Sequence, residues 1–158
     1  MSSSTSRRQF LSRTAAIGAG FGVWSSRSPV VRANESVLQG LSAACIGVGG
    51  KGSSDTSHIA EQGVSIVGLC DVDGGTVDKK SREFPDAGKF DDFREMLEKL
   101  GDKIDIVTVS TPDHTHAVAA LKAMQMKKHV YCQKPLTWSI HEARLMRETA
   151  EKMGVVTQ

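Results

Sequence analysis

The feature that most limits the fold is a glycine-rich segment that follows a short run of small apolar residues. Residues 41–47 have the size and polarity of a buried strand. Six residues then fit the pattern G-x-G-x-x-G, namely Gly47, Val48, Gly49, Gly50, Lys51 and Gly52. Glycines so spaced permit a tight turn, a close approach of the backbone to a ligand, and close packing of a helix on its strand. The segment therefore predicts a strand, a turn and a helix in succession.

Three further segments are predicted strands, namely residues 64–70, 104–110 and 129–132. The segment 104–110 is rich in β-branched residues, and this favours burial on both faces of a parallel sheet. Each of these strands is followed by a segment with helical features. Because strands alternate with helices along the chain, the sequence predicts an α/β fold, a doubly wound parallel sheet of the Rossmann type.

Caps and apolar spacing give approximate limits for the helices. Asp91 or Asp92 is predicted to cap a helix whose apolar residues recur at helical spacing, and Gly101 is predicted to end it. Residues 116–126 are alanine-rich and helical in character. Residues 139–154 begin with the spacing of a capping box and end in a glycine, so they predict a last helix.

An acidic residue at the end of the second predicted strand suggests what the glycine turn binds. Asp71 lies 24 positions after Gly47, close to the place where dinucleotide sites carry an acid for the ribose hydroxyls. Such a carboxylate would repel a 2′-phosphate, so the pattern predicts NAD and makes NADP less favoured. Lys79, Lys80 and Arg82 could reach a phosphate, but they are interpreted as a solvated helix face. The alternative to a dinucleotide site is a purely structural glycine turn.

A polar loop follows the third long strand and carries four predicted cofactor contacts, Thr111, Pro112, Asp113 and His116. In open α/β sheets, ligands bind outside the carboxyl ends of the strands, where the strand order reverses. His116 is also predicted to cap or start the next helix. Asp113, His114 and His116 could instead bind zinc or iron. No further ligand cluster occurs in the sequence, so no metal site is predicted.

The fourth strand is followed by Gln133, Lys134 and Pro135, which complete the predicted cofactor contacts. A lysine at the carboxyl end of a strand can reach the crevice in which a ligand binds, and Pro135 restricts the preceding residue to an extended backbone. The alternative is an exposed surface lysine. Cys132 and the other two cysteines are predicted to behave as small buried apolar residues, and a reactive Cys132 remains an alternative.

Residues 44–158 resemble the N-terminal domain of the Gfo/Idh/MocA oxidoreductases. The resemblance rests on the glycine pattern, on Asp71, and on residues 111–116 and 128–136. It implies NAD(P)-dependent oxidation or reduction of a sugar, polyol or related compound by hydride transfer. It also implies that Lys134 is a catalytic residue beside the nicotinamide, where it orients the substrate hydroxyl. The bond between Lys134 and Pro135 is expected to be cis.

Two departures from that family bear on function. Members of the family usually carry Glu-Lys-Pro, whereas this chain has Gln133 before the lysine. They also continue into a second α/β domain with substrate contacts, whereas this chain ends where the sixth strand would begin. It is therefore expected to be the cofactor-binding half of an oxidoreductase, with a truncated sixth strand and with homo-oligomer formation left open. The alternative is a stand-alone NAD(H)-binding module without turnover.

The first 33 residues differ from the rest of the chain in composition. They contain five arginines and no acid, and residues 6–11 match the S-R-R-x-F-L pattern of twin-arginine signals. The apolar run that follows is too short and too rich in glycine for a stable membrane span. The sequence thus predicts a twin-arginine signal peptide at residues 1–33, a lead-in at 34–40 and the Rossmann domain at 41–158. A disordered basic tail is the alternative.

The signal prediction carries two consequences for location and partners. Proteins with such signals are exported already folded, so the expected location is periplasmic or otherwise extracytoplasmic. Without residues 1–33 the chain has 15 Lys and Arg against 18 Asp and Glu, a net charge of about −3. Nucleic-acid binding is therefore not expected, because it depends on a basic surface.

Overall fold

The computed structural model describes residues 39–158, so the predicted signal peptide and most of the lead-in lie outside the described residues. Five strands form one sheet in the order β3-β2-β1-β4-β5, and every neighbouring pair is parallel. The strands are β1 Ser42–Ile46, β2 Ser65–Cys70, β3 Gly88–Phe90, β4 Ile106–Val109 and β5 His129–Cys132. The helices are α1 Gly50–Glu61, α2 Gly74–Ser81, α3 Phe93–Leu100, α4 Asp113–Gln125 and α5 Ile140–Met153.

Helices cover both faces of this sheet, as the alternation of side chains along β1 makes clear. Ala43 and Cys45 belong to one buried cluster, which packs against α1 and α2. Ala44 and Ile46 belong to the other, which packs against α3, α4 and α5. The strand order runs outwards from β1 in both directions, so the carboxyl ends of β1 and β4 diverge at a topological switch point. The predicted doubly wound parallel sheet is confirmed.

The limits of two elements differ from the sequence prediction. The third long strand was expected over residues 104–110, whereas β4 covers only Ile106–Val109, and a 3₁₀ turn at Gly101–Lys103 ends two residues before it. The short edge strand β3 was not predicted. Three residues of low β-branched content carry no periodic signal, so only pairing with β2 identifies this strand.

The start of α4 also differs, and this changes the interpretation of His116. Pro112 is the N-cap and Asp113 the first helical residue, so the prediction that His116 caps or starts the helix is wrong. Proline has a fixed φ and is extended here, with ψ at 144°, so the chain can enter the helix directly after it. His116 is instead the fourth residue of α4 and is 1% exposed.

The other predicted helix limits are confirmed. The Asp92 side chain caps α3, and Gly101 is its C-cap residue. The capping box of α5 is complete, because the side chains of Ser139 and Glu142 each accept a backbone N–H from the other residue. Gly154 then ends this helix in the left-handed conformation, with φ at 66°.

The last residues of the chain pair with the edge strand β5. Val130 N–H donates to Val156 O and Cys132 N–H donates to Gln158 O, at 3.0 and 2.9 Å. A parallel bridge joins Val130 to Thr157. Residues 156–158 therefore continue the sheet outwards from β5. Over residues 39–158, no helix combines the length and the apolar character needed to cross a membrane.

The packing of α1 on the end of β1 can be tested at Gly52. A Cβ atom there would lie 1.8 Å from Gly47 O, which is backbone and cannot give way cheaply. Gly52→Ala is therefore expected to lower the free energy of unfolding by about 3 kcal/mol or to prevent folding. The measurement is denaturant unfolding followed by circular dichroism.

Gly74→Ala is the matched control, because Gly74 also lies in the first turn of a helix and has open space where its Cβ would be. It should change stability by no more than about 0.5 to 1 kcal/mol, and in the stabilising direction. Equal stability of the two variants would contradict the close packing described here.

Candidate functional site

The glycine turn after β1 requires a residue without a side chain at its first position. Gly47 has φ at +78°, and a Cβ atom there would lie 2.8 Å from the backbone carbon and oxygen of Ser110. The backbones that leave β1 and β4 are therefore in contact at this point. Gly47 N–H donates to Cys70 O at 2.8 Å, which fixes the turn on the end of β2 as well.

The amino terminus of α1 opens directly from this turn and has no side-chain cap. Gly49 is the N-cap residue, and no side chain accepts a hydrogen bond from the first turn. A Cβ atom on Gly49 would lie 3.2 Å from Thr76 Cγ2, a close contact that glycine avoids. The first N–H groups of a helix lack intrahelical acceptors and lie at the positive end of its dipole, which makes such a terminus a binding site for an anionic group.

Asp71 lies directly after β2 and faces the glycine turn. Its Oδ2 accepts hydrogen bonds from Val48 N–H and Gly49 N–H, at 3.0 and 3.2 Å. Its Oδ1 accepts one from Asp73 N–H at 3.1 Å. The carboxylate is thus held at the mouth of the turn, where it provides negative charge and acceptor oxygens.

These groups border one cleft of about 470 Å³ at the carboxyl ends of the central strands. Of the predicted contacts, it brings together Gly47, Gly49, Asp71, Thr111 and Pro112. The rest of its lining is both apolar and polar and comes from the ends of four strands, namely Ile46 of β1, Cys70 and Val72 at the end of β2, Asp91 and Phe93 after β3, and Ser110, His114 and Thr115 after β4. The cleft lies at the switch point between β1 and β4, where an open α/β sheet binds its ligands.

Asp113 and His116 do not line this cleft. His116 is buried between two loops, with Nε2 2.6 Å from Thr111 O and Nδ1 2.8 Å from Pro135 O. Both partners are backbone carbonyl oxygens. The histidine joins the loop after β4 to the loop after β5. Its nitrogens are engaged, and among residues 39–158 no group of three or more His, Cys, Asp or Glu side chains is placed to hold a metal.

Gln133, Lys134 and Pro135 follow β5 on the far side of β4. Gln133 N–H donates to Val109 O at 2.9 Å, which continues the sheet by one residue. The Gln133 side-chain oxygen accepts the N–H of Lys134 at 2.8 Å. The Lys134 side chain is exposed, and the peptide bond between Lys134 and Pro135 is cis, as the family resemblance implied.

Sequence reasoning missed Asp55, a buried carboxylate that joins these parts. It lies on α1 and accepts hydrogen bonds from Lys51 Nζ at 2.6 Å, Ser110 Oγ at 2.8 Å and Gln133 Nε2 at 2.9 Å. Burial acts to raise the pKa of Asp55, but the three donated hydrogen bonds outweigh it and hold the pKa below its usual value. The i, i+4 spacing from Lys51 was the one signal in the sequence, and it indicates only an ordinary helix ion pair.

The basic residues after Asp71 do not form a uniform solvated face. Lys79 and Arg82 are exposed, but Lys80 is 3% exposed, so its interpretation as part of a solvated face is wrong. Its Nζ donates to Ser57 Oγ and Glu83 Oε2, both at 2.7 Å. The ammonium group is therefore committed to linking α2 to α1 and lies outside the cleft.

The cysteines are unsuited to nucleophilic chemistry. Burial raises the pKa of Cys70 to about 12 and that of Cys132 to about 11, and it raises the pKa of Cys45 as well. A thiol with so high a pKa stays protonated near neutral pH, and the thiolate is the reactive form. The alternative of a reactive Cys132 is therefore not supported.

Comparison with known proteins agrees with this geometry. Residues 41–158 match the Gfo/Idh/MocA family, described as an oxidoreductase family with an NAD-binding Rossmann fold. A glycosyl hydrolase family 109 protein from Saccharopolyspora erythraea is 33% identical over 171 aligned positions, which cover 93% of this chain and 37% of that protein. Among solved structures, GenD2 from gentamicin A biosynthesis in complex with NAD is 26% identical with a TM-score of 0.70, over 76% of this chain and 34% of that one.

The fold is shared more widely. The myo-inositol 2-dehydrogenase from Lactobacillus plantarum has a TM-score of 0.70 at 24% identity, over 76% of this chain and 36% of the dehydrogenase. This chain thus spans little more than a third of the length of these proteins, and the part it matches is the cofactor-binding half. The family match covers every strand and helix described above. The chain belongs to the Gfo/Idh/MocA oxidoreductase family and forms its NAD-binding Rossmann domain.

Proposed function

We propose that this domain binds NAD(H) in the cleft between β1 and β4 and serves as the cofactor-binding half of an oxidoreductase. The observation that carries the proposal is the pairing of an uncapped amino terminus of α1 with the Asp71 carboxylate, both at the mouth of one cleft. A dinucleotide presents an anionic pyrophosphate and two ribose diols, which require amide donors and a carboxylate acceptor respectively. The residues present fit both groups.

The glycine turn and the following loop hold the cofactor in this proposal. Residues 47–52 surround the pyrophosphate, and Asp71 accepts hydrogen bonds from the adenosine ribose. Thr111 and Pro112 border the cleft from the β4 side, while His116 holds that loop from behind through Thr111 O, and Asp113 begins the helix that follows. Because Asp71 repels a 2′-phosphate and Lys80 is committed elsewhere, NAD is preferred to NADP. When bound, the nicotinamide accepts or donates hydride.

Lys134 is the proposed catalytic residue at the reacting end. Its ammonium group projects from the loop after β5 into solvent, where it can donate a hydrogen bond to a substrate hydroxyl and stabilise negative charge that develops there. Gln133 and Pro135 fix the backbone on either side of it.

The proposed substrates are sugars, polyols or related compounds, because one similar structure is a myo-inositol dehydrogenase and one relative is named a glycosyl hydrolase. The relatives' names favour a second candidate, glycoside hydrolysis. Net formation of NADH with a polyol supports the first reaction, and sugar release without net NADH supports the second. A chain that binds NAD but turns over neither class would be a stand-alone binding module.

We also propose that residues 1–33 direct export of the folded protein through the twin-arginine route. The S-R-R-x-F-L match, the five arginines and the lack of acids support it. An enzyme that needs NAD outside the cytoplasm must acquire it before export, so a route for folded proteins suits this domain. The assembly that is exported can be a monomer or a homo-oligomer.

Loss of the Asp71 carboxylate should weaken cofactor binding selectively. Asp71→Ala is expected to lower the affinity for NAD⁺ by about tenfold to a hundredfold, because hydrogen bonds to a charged acceptor are lost. The affinity for NADP⁺ should fall less or rise, since the repulsion of its 2′-phosphate is removed. Isothermal titration calorimetry measures both. Asp86→Ala, at an exposed acid in the turn before β3, is the control, and equal effects of the two substitutions would refute the ribose assignment.

Loss of the Lys134 ammonium group should affect turnover and spare cofactor binding. In the protein as its source produces it, Lys134→Met is expected to lower kcat about a hundredfold or more, while the Kd for NAD⁺ stays within about threefold. Lys152→Met, at an exposed lysine of α5, should leave both unchanged. Unchanged turnover in Lys134→Met would show that the lysine is an ordinary surface residue.

The export proposal predicts a specific requirement for the arginine pair. Replacement of Arg7 and Arg8 together by lysine keeps the charge but should stop export, because a receptor reads the pair itself. Fractionation followed by immunoblotting measures the location. The same replacement at Arg27 and Arg32 is the control. Normal export of the Arg7 and Arg8 variant would mean that another feature directs the protein.

A further inference from the structure

Asp55 is the most deeply buried carboxylate bonded to the loops of the proposed site. Its side chain is only 6% exposed. A buried carboxylate is costly unless its oxygens accept hydrogen bonds, and Asp55 accepts three, from α1 and from the residues that follow β4 and β5. One charged group thus joins the start of α1 to the ends of two strands. A role in packing alone would not require a charge at this place.

The charge of Asp55 determines the orientation of the neighbouring amide. An ionised carboxylate only accepts hydrogen bonds, whereas a side-chain amide has an NH₂ group on one side and an oxygen on the other. The NH₂ group of Gln133 must therefore point to Asp55, where it donates to Oδ2 at 2.9 Å. Its oxygen is then directed away and accepts Lys134 N–H at 2.8 Å. If the Gln133 amide were turned the other way, its oxygen would face the Asp55 carboxylate and its NH₂ group would face the Lys134 N–H, and neither pair could form a hydrogen bond.

We infer that Asp55 is a positioning residue for the reacting end of the site. Its carboxylate fixes the Gln133 amide, and that amide fixes the backbone from which the Lys134 side chain projects. The inference rests on the proposed function, in which Lys134 acts beside the nicotinamide. Asp55 lies on α1, 78 positions from Gln133 in the sequence. In this inference it helps to set the geometry of the loop after β5.

The same contact accounts for glutamine at position 133. A glutamate there would place two carboxylates within hydrogen-bonding distance, and one of them would have to bind a proton or move away. Asp55 and Gln133 are thus a matched pair of one carboxylate and one amide. Exchange of the carboxylate and the amide between the two positions should therefore disturb the site less than replacement of either group alone.

An exchange of these groups tests the inference in the full chain. The variants are Asp55→Asn, Gln133→Glu and the double variant, which restores one carboxylate and one amide with the total charge unchanged. In the protein as its source produces it, each single substitution should lower kcat about tenfold while the Kd for NAD⁺ stays within about threefold, and the double variant should return kcat to within about threefold of the original. In heteronuclear NMR spectra, the Lys134 amide signal should shift in both single variants and return in the double variant. Glu61→Gln, the same change at an exposed acid of α1, is the control and should alter neither.

Two results would overturn the inference. One is a single variant with unchanged kcat and an unshifted Lys134 amide, and the other is a double variant whose loss of kcat equals the product of the single losses. If a single variant does not fold, the double variant decides, because a folded and active double variant supports the pairing and an unfolded or inactive one refutes it. If the original chain does not bind NAD⁺, the proposed function fails, and the Lys134 amide signal still tests the positioning role separately.

Discussion

The architecture of the site depends on how closely α1 approaches the end of β1. The helix lies against the backbone of the turn that starts it, with no room for a Cβ atom on Gly52 beside the Gly47 carbonyl. Because Gly47 also contacts the backbone of Ser110, this single approach brings β1, α1 and β4 to one point. The cleft is the space that opens where these backbones separate. Any side chain at the contact would push the helix outwards and move its amino terminus away from the cleft.

The close approach of α1 to the end of β1 also brings groups of opposite charge together. The uncapped amino terminus of α1 supplies positive potential. The Asp71 carboxylate faces it and accepts hydrogen bonds from two backbone N–H groups of the turn. The turn is thus held in one conformation before any ligand arrives, which lowers the ordering that binding requires. A second carboxylate, Asp55, lies one and a half turns along the helix and is turned inwards. Asp71 therefore holds the glycine turn, whereas Asp55 holds the residues that follow β4 and β5.

Much of this could be predicted from sequence, because the signals concerned are local. The glycine spacing, the strand-end position of Asp71 and the capping box at Ser139 each depend on a few neighbouring residues and on backbone requirements that only certain side chains meet. The features that were missed depend on distant partners. The edge strand β3 exists only by pairing with β2, and His116 was misplaced because its two carbonyl partners lie on separate loops. Asp55 has the spacing of a surface ion pair, and only the fold shows that it is buried.

The loop that carries Lys134 is held by polar contacts that come from outside its own strand. His116 of α4 holds the Pro135 carbonyl, and Asp55 of α1 holds the Gln133 amide, so the lysine lies between two residues that are each fixed by a helix of a different face of the sheet. Hydrogen bonds require both distance and direction, whereas apolar packing tolerates small shifts of a loop. These bonds hold the backbone on both sides of Lys134, while its side chain is exposed. This combination would suit the proposed role of Lys134, in which its ammonium group meets a substrate hydroxyl beside the bound cofactor.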